Sequence, residues 1–160
     1  MKQTFGRMLE AAEGAAARGE CGILAAARTQ IGVRFQHQGR LAGEAIDCIG
    51  LVVLSFRAAS IYLADRTDYS EQPSEGALRT ELQSQFRMLG ESEAWEDGDL
   101  ASFVRRPGKD VSMSECHVAI LSASRMMIHT SFELGRVVEH AAAGRYLPHI
   151  GARWRYMADG

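Results

Sequence analysis

Residues 44–56 read EAIDCIGLVVLSF, an acidic residue and a cysteine followed by an almost unbroken apolar run. Asp47 is a good helix N-cap, because its carboxylate can accept hydrogen bonds from free backbone N–H groups of the first turn. The run that follows is apolar on nearly all sides, which is typical of a central helix packed against a sheet. This stretch therefore predicts a buried helix over residues 48–63 that begins with Cys48.

Cys48 would occupy the first position of this helix. Unpaired backbone N–H groups and the helix dipole favour negative charge there, so we expect a lowered pKa of the thiol. An inert core thiol is the competing interpretation, because cysteine is among the most buried residue types. A reactive thiol needs a general base, and the chain offers five histidines: His37, His117, His129, His140 and His149.

The segments around this helix are predicted from composition and apolar spacing. Helices and a loop come first: an N-terminal arm over 1–20, a helix over 21–30, a loop over 32–43, a polar excursion over 64–76 and a third core helix over 77–88. Strands separated by turns follow: LASFV (100–104), HVAIL (117–121), MMIHT (126–130), RVVEH (136–140) and an edge strand at ARWRYM (152–157), with turns at EDGD (96–99) and RRPGKD (105–110). Helices followed by antiparallel strands indicate an α+β fold, with one domain over residues 21–160.

Composition excludes several classes of protein. The chain has 160 residues and a formal net charge of -2, so no broad basic surface suggests nucleic-acid binding. Its three cysteines do not make a disulfide framework and suit a reducing compartment. No signal peptide is recognisable, and the longest apolar run is far short of the roughly 20 residues that span a bilayer. We therefore expect synthesis in the cytoplasm and no membrane insertion.

His117 and His129 fall on the two strands of a predicted hairpin. Because strand side chains alternate, they share a face if the loop between them is odd in length, and a loop centred on Ala123 would place them directly opposite each other. One imidazole could then act as a base and the other orient it. With the helix packed on the same face, the constellation is Cys48, His117 and His129.

Four motifs resemble, in order and spacing, the NlpC-type papain-like cell-wall peptidases. They are DCIGLV at 47–52, EDGDL at 96–100, HVAIL at 117–121 and IHT at 128–130. The resemblance implies a papain-like cysteine peptidase fold with N-terminal helices packed on a small antiparallel sheet. It implies Cys48 as nucleophile, His117 as general base and His129 as its orienting residue, with no cofactor. The implied substrate is an amide bond in the peptide stem of peptidoglycan.

Phe35 stands where this family commonly carries a tyrosine that helps to stabilise the oxyanion. Phenylalanine cannot donate a hydrogen bond, so the role would pass to the Cys48 backbone N–H and to His37 or Gln38, near Asp47. Loss of one such donor typically costs about 10²–10³ in rate. Phenylalanine at position 35 is compatible with full peptidase activity and with reduced activity.

Two further motifs, RFQHQGR at 34–40 and GRVVEH at 135–140, are similar to the branch of the family found in phage tails and gene-transfer-agent particles. This similarity implies incorporation in a virion tail or phage-like particle, with tail-tip or hub proteins as partners. A structural tail-tip component that keeps the peptidase fold, with reduced or lost activity, is the alternative.

A zinc site is a different class of interpretation, because Cys48, Cys116, His117 and His129 are common zinc ligands. Neighbouring residues on a strand point to opposite faces, which separates Cys116 from His117. We therefore expect no metal at this position.

Overall fold

The fold is known from a computed structural model, which describes residues 4–71, 75–105 and 115–158. Over these ranges the chain forms the helices α1 (Phe5–Ala17), α2 (Gly22–Arg28), α3 (Cys48–Ala58) and α4 (Ala77–Gln85), and a short 3-10 helix η1 (Gly144–His149). The strands are β1 (Arg34–Phe35), β2 (Arg40–Leu41), β3 (Ala45–Ile46), β4 (Phe86–Met88), β5 (Leu100–Val104), β6 (Glu115–Leu121), β7 (Met126–Ser131), β8 (Arg136–Ala141) and β9 (Ile150–Tyr156).

The described strands form one sheet with the order β2-β3-β1-β8-β7-β6-β5-β9-β4. Neighbouring strands are antiparallel, except that β1 and β3 run parallel. Helices precede most of the sheet along the chain, so the α+β prediction is confirmed. The segment 32–43, predicted as a loop, differs in that it carries the two-residue strands β1 and β2.

Helix α3 is the central buried helix that the sequence predicts, but it ends at Ala58 and not near Leu63. The Ser60 N–H donates to the Arg57 carbonyl and the Ile61 N–H to the Phe56 carbonyl. Ser60 has a φ of 65°, and this left-handed residue with its two backward hydrogen bonds is a Schellman ending. The apolar pattern of the sequence continues beyond the helix because Ile61 and Leu63 still pack on the core.

The other helices differ from their predictions mainly at their ends. Helix α1 buries Met8 and Ala12 in the same core as α2 and α3, so part of the predicted arm packs on the domain. A domain boundary at residue 20 stays a prediction. Helix α4 ends at Gln85, where Phe86 turns to an extended conformation and begins β4.

The prediction that ARWRYM forms an edge strand is wrong. Strand β9 pairs with β5 on one side and with β4 on the other. The edge position belongs to β4, whose residues have helical spacing in the sequence. Consistent with an interior strand, Trp154 on β9 is fully buried and donates its indole N–H to the Ser102 hydroxyl at 2.9 Å.

The sheet has an apolar cluster on each face. The larger cluster joins the helices to residues such as Val118 and Ile128. The smaller one, on the other face, contains Phe103, Leu121 and Met127. Strand alternation places His117 and His129 on the same side of the sheet as this second cluster.

Two glycines allow the backbone before α3 to approach the helix closely. A Cβ at Gly50 would overlap the carbonyl oxygen of Gly39, and a Cβ at Gly39 would lie 2.6 Å from the Ala45 carbonyl oxygen. Real Cβ atoms do not tolerate such contacts. The start of α3 is therefore held by contact between backbone atoms.

The turn at EDGD is confirmed by the hydrogen bond from the Asp99 N–H to the Glu96 carbonyl and by a φ of 91° at Gly98. The predicted turn at RRPGKD lies outside the described residues, apart from Arg105. None of the helices in the described ranges has the length and apolar character needed to cross a membrane.

Candidate active site

Cys48 is the first residue of α3, and Asp47 caps the helix as predicted. Asp47 is 3% exposed, and its side chain accepts four hydrogen bonds. Its Oδ1 accepts from the Gly50 N–H at 2.7 Å and from Arg40 at 3.0 Å. Its Oδ2 accepts from the Gln38 N–H at 2.9 Å and from the Tyr69 hydroxyl. These bonds fix the helix end, and with it the position of the thiol.

Arg40 connects Asp47 to the polar excursion. Its guanidinium contacts Asp65 at 2.9 Å, the Tyr69 hydroxyl at 2.9 Å and the Arg66 carbonyl at 3.1 Å. Burial opposes the charge, but the Asp65 carboxylate and the other acidic partners raise the pKa of Arg40 overall. Burial and the nearby Asp47 raise the pKa of Tyr69, which therefore stays protonated and donates to Asp47.

The residues predicted to help stabilise an oxyanion differ in the hydrogen bonds that they make. Phe35, His37, Asp47 and Cys48 line one cavity. His37 donates its Nε2–H to the Tyr69 carbonyl at 3.1 Å, and Gln38 donates its amide to the same oxygen at 2.7 Å. Both donors are thus engaged in holding the excursion. The Cys48 N–H lies in the first turn of α3, where it has no intrahelical acceptor.

His117 and His129 are hydrogen bonded to each other, with 2.8 Å between His117 Nε2 and His129 Nδ1. They share a face as predicted, but they are not directly opposite. The pairing of β6 with β7 is centred on Ser124 and not on Ala123, with the pairs Ile120–Ile128 and Leu121–Met127. The two imidazoles therefore meet diagonally across the strands.

The prediction that α3 packs on the face of these histidines is wrong. Helix α3 shares its core with Val118 and Ile128, which point to the opposite face from His117 and His129. Within the described residues, the pairs of β6 with β7 are confined to the end nearest the hairpin loop. Cys48 enters where the two strands separate, and its thiol accepts the backbone N–H of Val118, the residue after His117.

The resting site is neutral. Burial, followed by the negative charge of Asp47, raises the pKa of Cys48 to about 12, which outweighs the N–H groups of Val118 and Ile49 that lower it. This direction is opposite to our prediction from the helix position. Burial lowers the pKa of His117 to about 4, with Asp47 acting the other way. Burial and the two neighbouring histidines lower the pKa of His129 to about 3.

The sequence did not single out His140, which lies beside this pair. His140 Nε2 is 2.8 Å from His129 Nε2, and His140 Nδ1 is 2.9 Å from the Ala141 carbonyl oxygen. In the β7–β8 pairing His129 lies opposite Val138, so residue 140 falls on the same face. Only the pairing register of β7 with β8 shows that His140 lies beside His129. The spacing of residues along a single strand does not show it.

The cavity has a volume of about 1450 Å³ and contains Cys48, Cys116, His117 and His129 among its lining residues. One wall comes from the excursion, including Arg66 and Asp68. Another comes from α4, and Phe132 stands at the rim, 84% exposed and edge-on to Phe35. In the described ranges, no group of three or more His, Cys, Asp or Glu is arranged to hold a metal ion.

Solved structures share this fold at low sequence identity. A protein of the NlpC/P60 family from Bacillus cereus superposes with a TM-score of 0.65 and 18% identity, over 85% of this chain and 39% of that one. A lipoprotein-like NLP/P60 protein from Staphylococcus aureus gives 0.63 and 17%, over 86% and 41%. The NlpC/p60 domain of the peptidoglycan hydrolase SagA gives 0.58 and 18%, over 84% and 96%.

No protein-family model matches the sequence, and no curated protein matches it at a significant level. The chain spans less than half the length of the first two solved structures and nearly all of the isolated SagA domain. The predicted fold is therefore confirmed: the chain has the mixed helix and sheet architecture of the papain-like NlpC/P60 domains, with N-terminal helices packed on the sheet.

Proposed function

We propose that this protein is a cysteine endopeptidase that cleaves amide bonds in the peptide stem of peptidoglycan. The observation that carries the proposal is the hydrogen-bonded pair His117–His129, lying in the same cavity as Cys48 at the start of α3. A thiol, a base and a group that orients the base are what covalent amide hydrolysis requires. The fold shared with a peptidoglycan hydrolase domain supports the choice of substrate.

The mechanism begins from the neutral pair. His117 Nδ1 takes the proton of Cys48 as the sulfur attacks the amide carbonyl carbon, and the carbonyl oxygen becomes an oxyanion. His117 then gives that proton to the leaving amine, and a thioester remains on Cys48. Water, deprotonated by His117, attacks the thioester and releases the acid product with the thiol restored.

Because the pKa of the thiol is high and that of the imidazole is low, little thiolate exists before substrate binds. Proton transfer therefore accompanies the attack, and stabilisation of the oxyanion matters more than in a site with a preformed ion pair. The Cys48 N–H is the donor best placed for this role. Phe35 supplies an apolar wall and no hydrogen bond, so we expect a modest turnover number.

The test is hydrolysis of purified muropeptides, followed by mass spectrometry of the products. The wild-type protein should release peptide fragments, and Cys48→Ala should release none above the buffer blank. Cys116→Ala is the matched control, since it removes a thiol from the same cavity and should keep at least half of the activity. Hydrolysis retained by Cys48→Ala, or absent from the wild type, would remove the thiol-peptidase proposal.

We further propose that the protein is carried by a phage tail or phage-like particle, with tail-tip or hub proteins as partners. What supports this is the similarity of the motifs at 34–40 and 135–140 to particle-associated members of the family. Purified particles from a producing strain should contain the chain at a fixed stoichiometry by quantitative mass spectrometry. Its absence from intact particles would contradict this part of the proposal.

A further inference from the structure

Three imidazoles form a continuous hydrogen-bonded row that ends on the backbone. The nitrogen-to-nitrogen distances are 2.8 Å from His117 to His129 and 2.8 Å from His129 to His140, and His140 Nδ1 lies 2.9 Å from the Ala141 carbonyl oxygen. His129, in the middle, is 6% exposed. His140, at the outer end, is half-exposed and packs against the Tyr146 ring with 4.4 Å between centroids.

The carbonyl at the end of the row decides where every proton lies. A carbonyl oxygen only accepts, so the neutral His140 carries its proton on Nδ1 and offers an acceptor at Nε2. His129 must then donate from its Nε2 and accept at its Nδ1. His117 in turn donates from its Nε2, which leaves its Nδ1 without a proton.

A bare Nδ1 is what His117 needs in order to take the proton of Cys48. If the direction of the hydrogen bonds in the row were reversed, the proton of His117 would lie on its Nδ1. His117 could then no longer act as a base. The low pKa values of His117 and His129 support the neutral forms that this reasoning requires.

We propose that His140 is a positioning residue, which fixes the tautomers of His129 and His117 through the row of hydrogen bonds anchored on the Ala141 carbonyl. The consequence for catalysis rests on the proposed function, whereas the tautomers themselves do not. His140 acts through its neighbours and does not touch the reacting atoms.

Protonation of His140 would reverse the row. A doubly protonated ring donates from Nε2 as well as from Nδ1, so His129 would have to accept at Nε2 and donate from Nδ1. His117 would then accept at Nε2 and hold its own proton on Nδ1.

The ionisable groups around His140 come from each element that packs against it. They are His129 on β7 and Tyr146 on η1, with the Arg145 guanidinium lying 5.0 Å from the Tyr146 ring centre. Glu139, its neighbour on β8, points to the other face and binds Arg28 at 3.0 Å. Within the described residues, the hydrogen bonds of His140 go to His129 and to the Ala141 carbonyl, and none goes to a carboxylate.

Two substitutions separate the hydrogen-bond acceptor of His140 from the packing of its ring. His140→Gln keeps an oxygen that can accept the His129 Nε2–H and cannot gain a proton. His140→Phe keeps the ring against Tyr146 and removes the acceptor. His149→Gln is the matched control, because His149 hydrogen bonds to the Val104 carbonyl at 2.7 Å, apart from the row.

The direct test is the tautomer of each ring, read from long-range proton–nitrogen spectra of histidine-labelled protein near pH 7. We expect protons on Nδ1 of His140 and on Nε2 of His129 and His117, in the wild type and in His140→Gln. In His140→Phe the signals of His129 and His117 should show a mixture of tautomers. A wild-type His117 protonated on Nδ1 would overturn the proposal, whether or not the protein hydrolyses muropeptides.

Kinetics supply the second readout. His140→Phe should lower kcat by about 10- to 100-fold with KM unchanged, comparable to the loss of the outer partner of a metal-bound histidine. His140→Gln should keep kcat within about threefold of the wild type, because its side-chain oxygen can still accept the His129 Nε2–H. Equal kcat values for the wild type, His140→Gln and His140→Phe would refute the positioning role. If the wild type is inactive, the proposed function fails, and the tautomer measurement still decides whether His140 is a positioning residue.

Discussion

His117→Ala is expected to lower kcat/KM for muropeptide hydrolysis by about 10⁴-fold or more, the largest effect of any change at the site apart from loss of the thiol itself. The pKa of Cys48 is held at about 12 by burial and Asp47, so the thiol gives up no proton unaided at neutral pH. Alanine leaves no base in the position of the imidazole. The measurement is the initial rate of product release over a range of substrate concentrations.

The double variant Cys48→Ala, His117→Ala should be no slower than Cys48→Ala alone, because a nucleophile and its base act as one unit. His149→Ala serves as the control, since it removes a histidine that hydrogen bonds elsewhere. A loss of less than about 10-fold in His117→Ala would contradict the assigned role. Losses that multiply in the double variant would contradict the shared step.

Asp47→Ala is expected to lower the free energy of unfolding by about 3–5 kcal/mol, the usual cost of removing one partner from a buried ion pair. The substitution leaves the Arg40 guanidinium, whose side chain is 16% exposed, without one of its two carboxylate partners. It also removes the acceptor of the Gly50 and Gln38 N–H groups and of the Tyr69 hydroxyl. Urea unfolding monitored by circular dichroism gives the difference directly.

Asp68→Ala is the matched control for that prediction. Asp68 also pairs with an arginine, at 2.8 Å, but the two side chains are 64% and 68% exposed. Exposed pairs contribute roughly 0–1 kcal/mol, so the control should change stability by less than that. Equal losses of unfolding free energy in Asp47→Ala and Asp68→Ala would contradict a stabilising contribution from the burial of the Asp47 hydrogen bonds.

The local features of the site could be predicted from the sequence because each depends on neighbouring residues. Asp47 caps α3, since an N-cap needs only its own first turn. The strands that carry His117 and His129 follow from alternation and turn residues, and the parity of the loop put both rings on one face. The α+β class follows from the order of these elements along the chain.

What the sequence could not predict depends on contacts between distant segments. The loop is centred one residue later than expected, which makes the His117–His129 contact diagonal. The direction of the thiol pKa depends on burial at position 48 and not on the helix end alone. His140 joins the row only through the β7–β8 register. ARWRYM is an interior strand only because residues 86–88, which the sequence predicted as the end of a helix, form β4 and pair with it.

The contact between Gly39 and Gly50 bears on how this chain can change over evolutionary time. Since backbone atoms touch there without side chains between them, the main chain places the Cys48 sulfur together with the hydrogen bonds of Asp47. Alanine at either glycine would force the turn away from the helix and carry the sulfur with it. Substitution should therefore be freer in the surrounding segments than at these two small residues.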